Sequence, residues 1–195
     1  MKNELTRRDA LKKMAAGGAA AVTSVFWVDA LASAAEQHAE HYHAAAAAAT
    51  GPWMPKVLSA DQNATVVALA EIIIPATETP GATKADVNQF VDYVLVNATA
   101  GDRQKFLDSL AWLDGHVKET HGSTFVKAVP DTQLAVVTAL STQPTGTPGG
   151  DFFRAIKSLT VTGYYTSEVA MCEEIGDDGN MFFTEFKGCE HPEHK

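Results

Sequence analysis

Four side chains able to bind metal or form a disulfide gather at the C-terminal end of this 195-residue chain: Cys172, Cys189, His191 and His194. Iron–sulfur clusters want three or four thiolates, and two cysteines do not supply them. A Cys2His2 zinc site stays open. In an oxidising compartment, an even cysteine pair reads first as a disulfide. A Cys172–Cys189 bridge would close a loop of 17 residues. Chain entropy makes that worth on the order of 3 kcal/mol, with the C-terminal tail pinned back onto the preceding helix. A second set, His38, His41 and His43, lies in HAEHYH. Neutral imidazoles at close spacing suit copper, nickel or zinc. Were the chain cut after Ala35, His38 would stand third from the new amino terminus, a geometry that favours copper or nickel. The alternative is a solvated tail whose histidines bind nothing specific, because clustered histidines alone define no closed coordination shell.

Other chemistries lack their signatures. The sequence holds no G-x-G-x-x-G after a strand, no C-x-x-C-H, no G-x-S-x-G and no H-E-x-x-H, the patterns of dinucleotide binding, covalent haem, serine hydrolases and zinc peptidases. We therefore assign no catalytic, cofactor-binding or metal residue to this chain.

The most informative spacing is at the start. Thr6-Arg7-Arg8-Asp9-Ala10-Leu11-Lys12 precedes an uncharged small-residue run from Met14 to Val28. Paired arginines in that frame are a twin-arginine export signal, an address for the route that carries folded proteins. Ala10 stands where phenylalanine is common. Ala30-Leu31-Ala32 and Ala32-Ser33-Ala34 both fit the small-x-small rule of a signal peptidase, and cleavage is expected after Ala34. The run is short and mildly apolar beside the roughly 20 apolar residues of a spanning helix. The expected location is the periplasm. Proteins sent by this route often carry an inserted cofactor, yet the chain shows no site for one. That mismatch points to a subunit exported with a folded partner.

Removing residues 1–34 leaves 161 residues, one domain with a real core. The leader carries five basic and three acidic side chains, so its loss takes the net charge from -9 to -11. Such acidity gives no electrostatic route to nucleic acid.

The elements that must position these residues read as helices. Residues 35–57 are expected to be a flexible linker, with Ala44–Ala49 able to form a short helix. Ser59 and Gln62 form a capping box, and Val66, Leu69, Ala70 and Ile73 share the face that follows. Pro75 ends that helix, and Thr79-Pro80-Gly81 makes a turn. A second helix is expected over 84–97, burying Val87, Phe90, Val91, Val94 and Leu95. A third runs from Gly101 to His121, with Phe106, Leu110, Leu113 and Val117 inward and Gly122 at its end. A fourth opens at Pro130 with Leu134, Val137 and Leu140 inward. A fifth is capped by Asp151 and carries Phe152, Phe153, Ile156 and Leu159. No alternating strand pattern occurs, so the expected fold is all-α: a compact irregular helical bundle with a loop-rich C-terminal tail. The aromatic series Phe152, Phe153, Tyr164, Tyr165, Phe182, Phe183 and Phe186 divides into core positions on helices and a partly exposed 181–186 group. Trp53, Phe182, Phe183 and Phe186 are the expected partner-binding residues, since aromatic anchors dominate interfaces.

Several segments together resemble a known family. LSADQNATVVALAEIIIPATETPGA, VNQFVDYVL, FFRAIKSLTVTGYYTSE and the terminal FKGCEH are similar to subunit 3, the small or gamma subunit, of gluconate 2-dehydrogenase and related flavin-dependent sugar dehydrogenases. The most specific pieces are Ile73 to Ala82 and Gly163 to Ser167. The resemblance covers about Leu58 to His191, so residues 58–195 form the expected helical domain. It implies a non-catalytic subunit that supports maturation, export and stability of a large partner. That partner would bind FAD and oxidise the sugar or sugar acid. A multihaem cytochrome c subunit would pass electrons to the membrane, which this chain would meet only through the complex. The contrasting expectation is a free periplasmic helical protein that binds a metal or ligand through His38, His41 and His43.

Overall fold

A computed structural model describes residues 26–39, 41–46 and 51–176. The twin arginines Arg7 and Arg8, and Cys189, Phe182, Phe183 and Phe186, lie outside the described residues. Among those described there are helices and turns and no strand. The all-α expectation holds.

Helix α1 covers residues 26–39 and 41–46. Then follow α2 (Ala60–Ile73), α3 (Val87–Asn97), α4 (Ala100–His121), a 3-10 turn (Phe125–Lys127), α5 (Pro130–Ser141), α6 (Pro148–Tyr165) and a π-helical turn (Ala170–Ile175). Helix α6 is the axis of the bundle, and α2, α3, α4 and α5 all pack against it. Its sequence explains this role. Phe152, Ala155, Ile156, Leu159, Thr160, Gly163 and Tyr164 are buried over a broad stripe, wider than a helix with only one neighbour needs. Phe106 of α4 meets Phe152 at 6.0 Å between ring centroids.

The helix ends follow local chemistry. The Ser59 hydroxyl accepts the Gln62 N–H (3.2 Å), and Gln62 Oε1 accepts the Ser59 N–H (2.9 Å), completing the capping box. Thr99 caps α4, and Gly122 closes it in the left-handed region at φ 77°. Three expectations are corrected. Helix α3 begins at Val87 rather than 84, because Asp86 adopts φ 53° and interrupts the right-handed path. Helix α6 begins at Pro148, capped by Thr147. Asp151 is instead buried within the first turn, where its carboxylate accepts the Gly146 N–H at 2.9 Å. Leu134, expected inward, is 55% exposed, because Val136, Val137 and Leu140 take the inner face of α5.

Within the expected linker, the described residues 35–39 and 41–46 are helical. Helix α1 carries Ala35 and Ala39 into the core together with Trp27, Val28 and Leu31. Tyr42 packs edge-on to Phe90 of α3 at 5.4 Å and tilts against Tyr93 at 5.5 Å.

Gly163 shows how closely α6 approaches α3: a Cβ there would lie 2.6 Å from Phe90 Cδ1. Phe90 is itself buried and has little room to retreat. Gly163→Ala is expected to cost about 1–3 kcal/mol from overpacking, despite alanine's better helix propensity. Urea unfolding checks this, and a stabilised variant would show that Phe90 can move aside.

Candidate partner-binding surface

Two regions bring polar anchoring and exposed apolar groups together. The first is built on Asp92, an acid on the otherwise apolar inner face of α3. Its side chain is buried and accepts three successive backbone N–H groups: Lys56 at 2.7 Å, Val57 at 2.9 Å and Leu58 at 2.9 Å. A carboxylate accepts without donating, so it can satisfy several N–H groups of an extended segment at once. The clamp holds residues 56–58 against α3 and so fixes the start of α2. Just upstream, Trp53 is 37% and Met54 75% exposed. With Tyr42, Gln89, Tyr93 and Val96 they line a depression of about 490 Å³. Burial, followed by the Asp86 carboxylate, pushes the Tyr42 phenol up to about 12.

The second region is where the two most specific motif segments meet. The chain leaves α2 through Pro75, loops to Ala82, and is pinned by Glu71. The Glu71 carboxylate accepts the N–H of Ala76 at 2.9 Å and of Thr83 at 3.0 Å. Gly81 packs so tightly here that a Cβ would collide with Glu71 Oε1 and the Ala76 nitrogen. From α6, the Tyr164 hydroxyl reaches the Pro80 carbonyl oxygen at 2.6 Å and Glu174 Oε2 at 2.6 Å, two acceptors for one proton. The Tyr165 hydroxyl donates to Glu174 Oε1 at 3.1 Å, and Lys84 Nζ pairs with Glu173 at 3.0 Å. Burial and then the hydrogen-bonded Glu174 carboxylate push Tyr164 up to about 12. The Glu174 hydrogen bond and charge also raise Tyr165. The π-helical turn is thereby tied to α6 and to the loop. Tyr165, expected in the core, is instead exposed at the last turn of α6, and Ile175 is exposed beside it.

Partial burial acts to raise the Glu71 carboxyl, but hydrogen bonds from the Thr83 hydroxyl and N–H and from the Ala76 N–H outweigh it and hold the group below its ordinary 4.5. A depressed carboxyl contributes stability that is present above its unfolded value and is lost as pH falls through the folded one. The native chain should therefore lose part of its stability below about pH 4.5 through this group. In Glu71→Gln that part of the acid slope should be missing. Urea midpoints measured between neutral and acid pH check this, and parallel slopes for the two proteins would contradict it.

The structure distributes the expected site residues unevenly. Trp53 is exposed at the rim of the first region. Cys172 is exposed on the π-helical turn, while its expected partner Cys189 lies outside the described residues. His38 and His41 approach each other at 6.4 Å between ring centroids, but His43 does not join them. His38 sits edge-on to Tyr93 at 6.2 Å, and His43 sits edge-on to Tyr42 at 5.2 Å. Burial lowers the His43 pKa, against a weaker raising effect of Glu168. Among the described residues, no group of three or more His, Cys, Asp or Glu side chains is placed to hold a metal ion. Sequence reasoning missed Asp92 and Glu71. A charged residue interrupting an apolar helical face, as Asp92 does in VNQFVDYVL, is the signal that marks such an anchor.

Together these features define an all-helical domain whose signature residues build shape: glycines at close approaches, buried carboxylates clamping backbone, and aromatic groups left at the rims. Residues 60–179 match the family described as gluconate 2-dehydrogenase subunit 3, and the chain belongs to that family. The match begins at the first residue of α2 and includes both motif segments and the π-helical turn. No curated protein and no solved structure matches the chain.

Proposed function

We propose that this protein is the non-catalytic small subunit of a periplasmic, FAD-dependent gluconate or sugar dehydrogenase, and that it supports maturation, twin-arginine export and stability of the catalytic flavoprotein. Membership of the subunit 3 family carries the reading, since that description names one component of a multi-subunit gluconate dehydrogenase. The Thr6–Lys12 motif adds the export function, because a folded-protein address serves a partner that must acquire FAD before crossing. FAD would reside in the large subunit and haem in a cytochrome c subunit. The rim formed by Trp53 and Met54 is the proposed contact, with Phe182, Phe183 and Phe186 as further anchors.

Co-expression with the FAD-containing large subunit tests this. The two chains should co-purify, while the small chain alone shows neither flavin absorbance nor dehydrogenase activity. Trp53→Ala with Met54→Ala should weaken the complex by about tenfold or more, the scale of an aromatic anchor. A flavoprotein that reaches the periplasm fully active without this chain would overturn the proposal.

A further inference from the structure

Helix α1 runs through the expected signal-peptidase site. The bonds after Ala32 and Ala34 lie within its helical residues 26–39. On one side of them Trp27, Val28 and Leu31 are 5%, 3% and 0% exposed; on the other, Ala35 and Ala39 are 0% and 6% exposed. Val28, Leu31, Ala35, Ala39 and Tyr42 follow one another at steps of three or four, so a single inward face continues across both bonds. The helix is held at each end. Near its start, Asp29 pairs with Arg154 Nη2 of α6 at 3.3 Å. Near its end, Tyr42 packs on Phe90 and Tyr93 of α3. The small residues that satisfy the peptidase rule flank this face, with Ala30 exposed and Ala32 and Ala34 half-buried, while Leu31, Ala35 and Ala39 make the contact with the bundle.

We infer that residues 26–39 and 41–46 are a permanent element of the folded domain, and that docking of α1 shields the bonds after Ala32 and Ala34 from signal peptidase. The exported protein then keeps its chain at least from Phe26 onward. The physical basis is the order of events, and it rests on the twin-arginine reading proposed above. A peptidase takes its substrate as an extended segment, so a bond inside a docked helix is cut only when the helix opens locally. A protein threaded across a membrane unfolded would meet the peptidase before α1 could dock. A protein exported folded meets it afterwards. Cleavage after Ala34 would also remove Trp27, Val28 and Leu31 from the core and strip the bundle of apolar cover. Among the described residues, no helix is long and apolar enough to cross a membrane.

Two measurements test the inference, one of them independent of export. In the first, the intact mass of periplasmic protein should correspond to a start at or before Phe26. A start at Ser33 or Ala35 would overturn the inference while leaving the export reading intact. Failure of the protein to leave the cytoplasm would instead count against the export reading. In the second, the purified full chain is digested with elastase, which cuts after small residues, beside a synthetic peptide of residues 26–46. The isolated peptide has no bundle to dock on and should be cut on the order of a hundredfold faster at the bonds after Ala32 and Ala34. Equal rates would overturn the inference without any reference to export. Leu31→Asp in the full chain, which places a charge in the buried face, should raise cleavage at these bonds more than tenfold.

Discussion

Replacing Asp92 by alanine is expected to lower the thermal unfolding midpoint by about 10 °C, a larger loss than any single apolar truncation at the domain surface would give. The substitution removes the acceptor for Lys56, Val57 and Leu58 together and leaves one buried and two half-buried N–H groups against α3. Each stranded group costs about 1–3 kcal/mol, and part of that returns as the segment relaxes into water, so a net loss of about 3–5 kcal/mol is expected. The Asp92→Asn variant would keep one acceptor oxygen and turn an amide donor towards the remaining N–H groups, giving an intermediate loss. Because the clamp also holds the chain beside Trp53, tryptophan emission should shift with the same variants. A midpoint within about a degree of the native value would mean that water replaces the carboxylate freely, and that the segment is not held as described.

If the proposed function holds, changing Arg7 and Arg8 together to lysine is expected to leave both this chain and the proposed flavoprotein partner in the cytoplasm, with periplasmic dehydrogenase activity reduced by more than tenfold. The charge is unchanged, but lysine presents a compact ammonium where arginine presents a planar fork of donors, and a receptor that reads the fork distinguishes them. Fractionation followed by immunodetection of both subunits checks the outcome. Normal periplasmic delivery of the double variant would remove the export function from the proposal. Delivery of the flavoprotein while this chain stays behind would separate export from escort. Neither arginine lies in the matched region 60–179, so the folded domain should keep its stability. That separates this result from the Asp92 experiment, where stability falls and the address is untouched.

Local physics was legible in the sequence because it depends on neighbours along the chain. The capping box at Ser59 and Gln62, the inward faces of α2, α3 and α4, and the glycine stop at Gly122 rest on contacts within a turn or two, and each appears in the structure as expected. The family was legible too, through Ile73–Ala82 and Gly163–Ser167. The tertiary structure alone supplied the reason for those motifs: Tyr164 reaches the Pro80 carbonyl across 84 residues, and Gly163 admits Phe90. It alone decided the environment of α1. A short run of alanines with a few larger residues has too weak an apolar signal to separate a removable leader from a docked helix, since small residues serve both. Asp92 was hidden for a related reason. An acid on an apolar face is costly until the backbone it clamps is known, and that backbone lies 34 to 36 residues upstream. Helix formation is set by sequence-local energies, whereas the cost or gain of burying a small or charged side chain is set by what the fold brings against it.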